Sequence, residues 1–306
     1  MNWFWLSLLA LLCWSGSDLF SKIGCYETND RTSHLKMVTA VGIVMGLHAA
    51  YMVFFQDVAV SWGVIWTYLP VSLLYIGSMT LGYLGLRYIE LSVSSPICNS
   101  SGALVAVLCL CTGALTAMPA KDRALVLLAV GLVCAGVIGL GVVEAREDET
   151  LREKRQARAN RRYAKSALAL CLPLAYCLLD AGGTFADSLV LEHLNEDSAN
   201  VAYELTFCAA GLVCLAVLLC RRVKFTVRRE APKYLGALCE TAGQLCYIYA
   251  LADEEHVMMA APMISAYCVL SAVWGRIFLR ERLSWKHYLM IALVVAGIVL
   301  LGIFDI

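Results

Sequence analysis

Residues 92–99 read S-V-S-S-P-I-C-N, and residues 257–265 read V-M-M-A-A-P-M-I-S. Each opens an apolar run, and each carries a proline. Aligning Pro96 with Pro262 sets an offset of 166 residues, which also pairs Gly77 with Gly243, Tyr83 with Tyr249 and Gly16 with Gly182. Farther on, A-G-V-I-G-L-G (135–141) and A-G-I-V-L-L-G (296–302) match at an offset of 161. Several pairings in one order mark an internal repeat.

The runs around these motifs are long enough to be membrane spans. A helix needs about 20 apolar residues to cross a bilayer. Ten such runs are found, at 3–21, 36–55, 63–86, 92–115, 123–143, 166–190, 200–220, 232–251, 257–279 and 286–304. Composition agrees: 60% of the 306 residues are hydrophobic and 16% are charged, with mean hydropathy +0.72. A soluble domain carries about 25% charge. The first run has no basic segment before it and Trp3 lies within it, so it reads as a retained span and not a cleaved signal.

Between the fifth and sixth runs lies 144–165, E-A-R-E-D-E-T-L-R-E-K-R-Q-A-R-A-N-R-R-Y-A-K, a charged linker with helical acid–base spacing such as Asp148–Arg152. It divides the chain into a first five-helix unit (1–143), the linker (144–165) and a second five-helix unit (166–306). Because five is odd, the two units insert in opposite orientations. The expected fold class is therefore all-α integral membrane: ten transmembrane helices as two inverted five-helix repeats. Transporters built this way hold their solute near the midplane, between the halves.

Lys and Arg fall 22 on one side of this arrangement and two, Lys121 and Arg123, on the other. Basic residues stay cytoplasmic, which puts the linker in the cytoplasm and both termini outside a cell membrane, plasma or inner. The net charge of zero and the absence of a basic tail exclude a nucleic-acid partner. Nearly all 14 cysteines lie in apolar runs and read as packing residues, not as a disulfide framework or metal site. No G-K-[ST] phosphate loop, H-E-x-x-H, C-x-x-C or G-x-S-x-G motif occurs, so the chain reads as a non-enzyme with no cofactor.

Ionisable groups inside spans cost about 2.5–3.5 kcal/mol each on insertion scales and are functional by default. Asp180 lies past the middle of its span, where the repeat places Trp14 in the first half. Asp187, seven residues on and three from the span's end, reads as a solvated rim carboxylate, and Gly182–Gly183 as a place for close helix approach. Glu240, Gln244 and Tyr247 form one face of a helix, with spacings i, i+4 and i+7. Asp18 stands before Lys22 at i+4, a pair that is as consistent with a surface contact as with function. Asn99, beside Pro96, matches Ser265 in the repeat. His48 reads chiefly as a single hydrogen-bonded histidine, and Glu204 as a solvated group near the outer surface. Trp14, Tyr247 and Tyr267 are deep aromatics whose faces suit organic cations, although core packing accounts for each one alone. The solute- or proton-binding candidates are therefore Asp180, Glu240, Gln244, Tyr247, Trp14, Asp18, Asn99, Tyr267 and His48.

The segments L-R-Y-I-E-L-S-V-S-S-P (86–96), F-L-R-E-R-L-S-W (278–285) and C-W-S-G-S-D-L-F-S-K (13–22) resemble the EamA-type transporters of the drug/metabolite transporter superfamily. The resemblance implies a ten-helix secondary transporter in which spans 1, 3, 4, 6, 8 and 9 surround a cavity and spans 5 and 10 form a buttress. Members are usually drawn with cytoplasmic termini, and the charge count here points the other way. Relatives among the small multidrug resistance proteins insert in either orientation. Since acids lie within the spans while their Lys and Arg lie only at or near the ends, the expected solute is a small cationic or zwitterionic metabolite, proton-coupled or exchanged. The alternatives are a carrier of neutral or anionic metabolites with structural acids, and a non-transporting scaffold or lipid-handling protein. The expected partners are that solute, membrane lipid and protons, with the chain a monomer or homodimer.

Overall fold

A bilayer core offers no water to unpaired backbone groups, so a lipid-facing segment must satisfy them internally. The computed structural model answers this with helices throughout its described residues, which are 2–25, 31–86, 91–113, 116, 119–146, 167–253, 255–279 and 283–304. In chain order they form α1 (Trp3–Cys25), α2 (Ser33–Phe55), α3 (Trp62–Leu86), α4 (Leu91–Asn99), α5 (Ser101–Cys111) and α6 (Ala120–Ala145). The second half follows with α7 (Ala167–Leu191), α8 (Glu196–Cys220), α9 (Val227–Leu251), α10 (Val257–Ser265), α11 (Tyr267–Phe278) and α12 (Trp285–Phe304). The helical reading of the linker falls largely outside the described residues.

Eight helical stretches are long and apolar enough to cross a membrane. Of the ten expected spans, the last is a shorter apolar helix, Trp285–Leu301. The eighth, α9, is not among the eight because Glu240 and Gln244 dilute its apolar length after a charged first turn. Large side chains such as Leu47, Phe54, Trp62, Leu178 and Val213 remain exposed, the surface a lipid-embedded bundle presents.

The expected spans 92–115 and 257–279 are each divided in two. Backbone pairing tightens at both breaks: the Ser100 N–H lies 3.1 Å from the Pro96 carbonyl and 3.3 Å from that of Ile97. The Ala266 N–H likewise lies 3.1 Å from the Pro262 carbonyl and 3.2 Å from that of Met263. Sharing one N–H between i−4 and i−3 carbonyls is the tighter 3₁₀ geometry. In both halves it comes four residues after the proline, and Ser100 and Ala266 are themselves 166 positions apart.

Helices pair across the halves. α1 lies along α9, α2 along α8, α3 along α7 and α6 along α12, while α5 packs on α10 and α4 on α11. The α6–α12 seam is reciprocal. A Cβ on Gly136 would lie 2.8 Å from the Met290 carbonyl oxygen and 3.1 Å from the Val294 nitrogen. One on Gly297 would lie 2.7 Å from the Ala129 oxygen and 3.0 Å from the Val133 nitrogen. Positions 129, 133 and 136 precede 290, 294 and 297 by 161, the offset at which the two A-G motifs align. At the α2–α8 seam Gly42 and Gly211 face each other, and a Cβ on either would meet the other's Cα below 3 Å. Small residues let backbones approach in this way inside membranes.

Candidate functional site

The helix pairs enclose a cavity of about 70 Å³, room for several water molecules. Among the described residues its lining comes from α1, α3, α4, α5, α7, α8, α9, α10 and α11, and none comes from α6 or α12. Of the candidates read from the sequence, Trp14, Asp18, Asn99, Asp180, Glu240, Gln244, Tyr247 and Tyr267 all line it. His48 does not.

Three carboxylates face this cavity, and each is fixed by serine hydroxyls from a neighbouring helix. Asp18 on α1 accepts hydrogen bonds from Ser95 on α4, at 2.5 Å, and from Ser271 on α11, at 2.7 Å. Asp180 on α7 accepts one from Ser101 on α5, at 2.7 Å. Glu240 on α9 accepts one from Ser17 on α1, at 2.7 Å. Each bond crosses a helix seam, so the serines orient the acids and the acids tie the helices. No Lys, Arg or His is among the lining residues. Lys22 does not close on Asp18; its ammonium donates to the Leu86 carbonyl at 2.8 Å.

Aromatic rings complete the wall. Trp14 lies 5.0 Å from Tyr247 and 5.8 Å from Tyr267, centroid to centroid. Tyr75, Tyr83, Tyr176 and Tyr203 also line the cavity. Asn99 donates to the backbone oxygen of Ser95 at 2.8 Å, spanning the turn that Pro96 disturbs.

One side of the cavity is closed by a hydroxyl layer. The Tyr75 and Tyr247 hydroxyls meet at 2.5 Å, and the Tyr247 and Thr184 hydroxyls lie 3.0 Å apart. Behind them Asp187 accepts from Tyr68 at 2.7 Å and from Tyr75 at 3.3 Å. Asp187 is therefore no rim residue: it is 0% exposed. Its helix packs against α3 there, and two tyrosines supply the hydrogen bonds that water would have given. The two glycines between the acids also separate: a Cβ on Gly183 would touch the Tyr75 ring at 3.0 Å, whereas one on Gly182 would meet nothing within 4 Å.

Glu204 departs from its expected solvation in the same way. It is 0% exposed, and its carboxylate meets His48 Nδ1 at 2.7 Å and the Asn200 amide at 3.1 Å. This pair joins α2 to α8, away from the cavity, which accounts for His48. As anchors of the cavity acids, the serines escaped the sequence reading. A serine in an apolar span is common, and its partner lies on another helix; the only local signal was that each stands within about one helical turn of a candidate, Ser17 of Asp18, Ser95 and Ser101 of Asn99, and Ser271 of Tyr267.

The second half of the chain matches a known family over nearly its whole length. Residues 167–303 match the EamA-like transporter family. No curated protein matches the chain. A solved protein crystal structure shares the fold, with a TM-score of 0.65 over 99% of this chain and 97% of that chain at 13% identity. With its EamA domain and its apolar helices, the chain is a multi-pass membrane protein. The matched segment contributes Asp180 and Glu240 to the cavity and the first half contributes Asp18, while the serines that hold the three acids come from the first half except for Ser271.

Proposed function

We propose that the whole chain is a secondary transporter of the drug/metabolite transporter superfamily, with ten spans in two inverted five-helix repeats. It moves a small cationic or zwitterionic organic solute across the cell membrane by alternating access, coupled to protons or exchanged for another solute. The observation that carries this reading is the cavity with three carboxylates and no cationic lining residue among those described. Asp180 and Glu240 hold either a proton or the solute's positive charge, one displacing the other, and the aromatic wall takes the cation's faces. The reciprocal Gly136 and Gly297 contacts and the matched breaks at Ser100 and Ala266 support the repeat. The 22-to-2 distribution of basic residues supports outside termini and a cytoplasmic linker.

The test is uptake into proteoliposomes by the wild type, Asp180→Asn and Glu240→Gln. The expected result is loss of proton-driven or exchange-driven uptake in both variants. Unchanged, still coupled uptake in both would remove the two acids from the mechanism.

A further inference from the structure

The cavity's carboxylates do not all stand at one level. Ser95, which holds Asp18, and Ser101, which holds Asp180, belong to the same broken span and are six positions apart. At about 1.5 Å of rise per residue, that places the two anchors about 9 Å apart along the span. Glu240 sides with Asp18, because its anchor Ser17 is the residue next to Asp18 on α1. The negative lining therefore has two ends, Asp18 with Glu240 at one and Asp180 at the other.

Two further groups point to a missing guest. Tyr83 and Gln244 line the same cavity at 6% and 3% exposure, and the Tyr83 hydroxyl and the Gln244 amide nitrogen have no hydrogen-bond partner among the described residues. Leaving a buried polar group unpaired costs about 1–3 kcal/mol. A phenol oxygen accepts as well as donates, and an amide can present either end, so both can serve the N–H groups of an amine. Each carboxylate spends one oxygen on its serines and keeps acceptor capacity for a ligand.

We propose that the ligand is a linear diamine. One ammonium sits against Asp18 and Glu240 and the other against Asp180, with the alkyl chain along the Trp14, Tyr247 and Tyr267 faces. This rests on the reading of the cavity as an organic-cation site and narrows it to a two-headed one. Three carboxylates and two ammonium groups leave one negative charge, which a single proton neutralises. A monoamine would leave one acidic end unanswered in a site that excludes other cationic side chains.

The experiment compares straight-chain probes on the purified full-length protein by thermal unfolding: 1,4-diaminobutane and 1,6-diaminohexane against butylamine and hexylamine, with glutarate as an anionic control. Ligands that bind only the folded state raise its midpoint. The expected result is that diamines bind about tenfold tighter than monoamines of equal length. Asp18→Asn and Asp180→Asn should each bring the two classes together. Equal responses to mono- and diamines in the wild type would overturn the two-headed ligand and leave the cation site standing. A preference surviving both variants would overturn the assignment of the two ends. A response to glutarate alone would overturn the cation reading as well. The wild-type comparison needs no variant to fold.

Discussion

The hydroxyls of Tyr75 and Tyr247 stand 2.5 Å apart, joining α3 from the first half to α9 from the second, with Thr184 of α7 beside both. Three helices thus meet at one cluster of hydroxyls on the border of the acid-lined cavity. The alternating-access cycle proposed above would have to break and remake such a seam, because it joins the two halves on one side of the cavity.

Replacing Tyr75 or Tyr247 with Phe should loosen that seam without emptying it. Interhelical hydrogen bonds in membranes are worth about 0.6 kcal/mol on average and up to about 1.7 kcal/mol. A double-mutant cycle on Y75F and Y247F, read by unfolding in mixed micelles, should return a coupling in that range. A coupling of zero would mean that the two hydroxyls do not bond in the protein.

Asp187 invites a sharper contrast. Its two oxygens take hydroxyls from Tyr68 and Tyr75 in a site with no exposure. Asp187→Asn keeps an acceptor and should be mild. Asp187→Leu strips the acceptor from the buried Tyr68 phenol, while Tyr75 keeps Tyr247 and Thr184 within reach, and should cost about 1–3 kcal/mol. Thermal unfolding midpoints of the two variants decide it. A solvated carboxylate would predict both changes within about 0.5 kcal/mol of neutral.

That contrast also marks what can be read along a chain and what cannot. Pro96 and Pro262 led to the expectation of a repeat, and in the structure the breaks that follow them fall at matched positions, because proline disturbs its own helix within one turn. The acids of α1, α7 and α9 stood out because charge is costly in an apolar run, whatever packs against it. Asp187 and Glu204 were misjudged for a different reason. Their depth was taken from the nearest end of an apolar run, while the groups that bury them, Tyr68 and His48, lie 119 and 156 residues away. Ser17, Ser95, Ser101 and Ser271 were not recognised as anchors because a hydroxyl's meaning is set by what it faces.

Those serines are open to direct test. Ser101→Ala removes a hydroxyl that holds Asp180, and Ser17→Ala does the same for Glu240. A net hydrogen bond to a charged group is worth about 1.5–3 kcal/mol, so solute affinity should fall roughly tenfold or more. The readout is the solute concentration for half-maximal uptake in proteoliposomes. Wild-type affinity in both variants would show that the carboxylates need no such positioning.

The α6–α12 seam offers a test of the proposed repeat. A Cβ on Gly136 would strike Val294 at 2.4 Å and the Met290 backbone at 2.8 Å, and one on Gly297 would strike Val133 at 2.6 Å and the Ala129 backbone at 2.7 Å. Backbone atoms cannot turn aside, so Ala at either position must push α6 and α12 apart. Gly131, on the same α6, has nothing within 4 Å of its would-be Cβ. Gly131→Ala should therefore be neutral or mildly stabilising, since Ala is the better helix former by about 1 kcal/mol. Gly136→Ala and Gly297→Ala should each destabilise, by similar amounts of about 1–3 kcal/mol, the usual range for overpacking. Because both act on one seam, their double variant should cost less than the sum of the two. Unequal single effects, or full additivity, would mean that the reciprocal contact does not hold the two halves together.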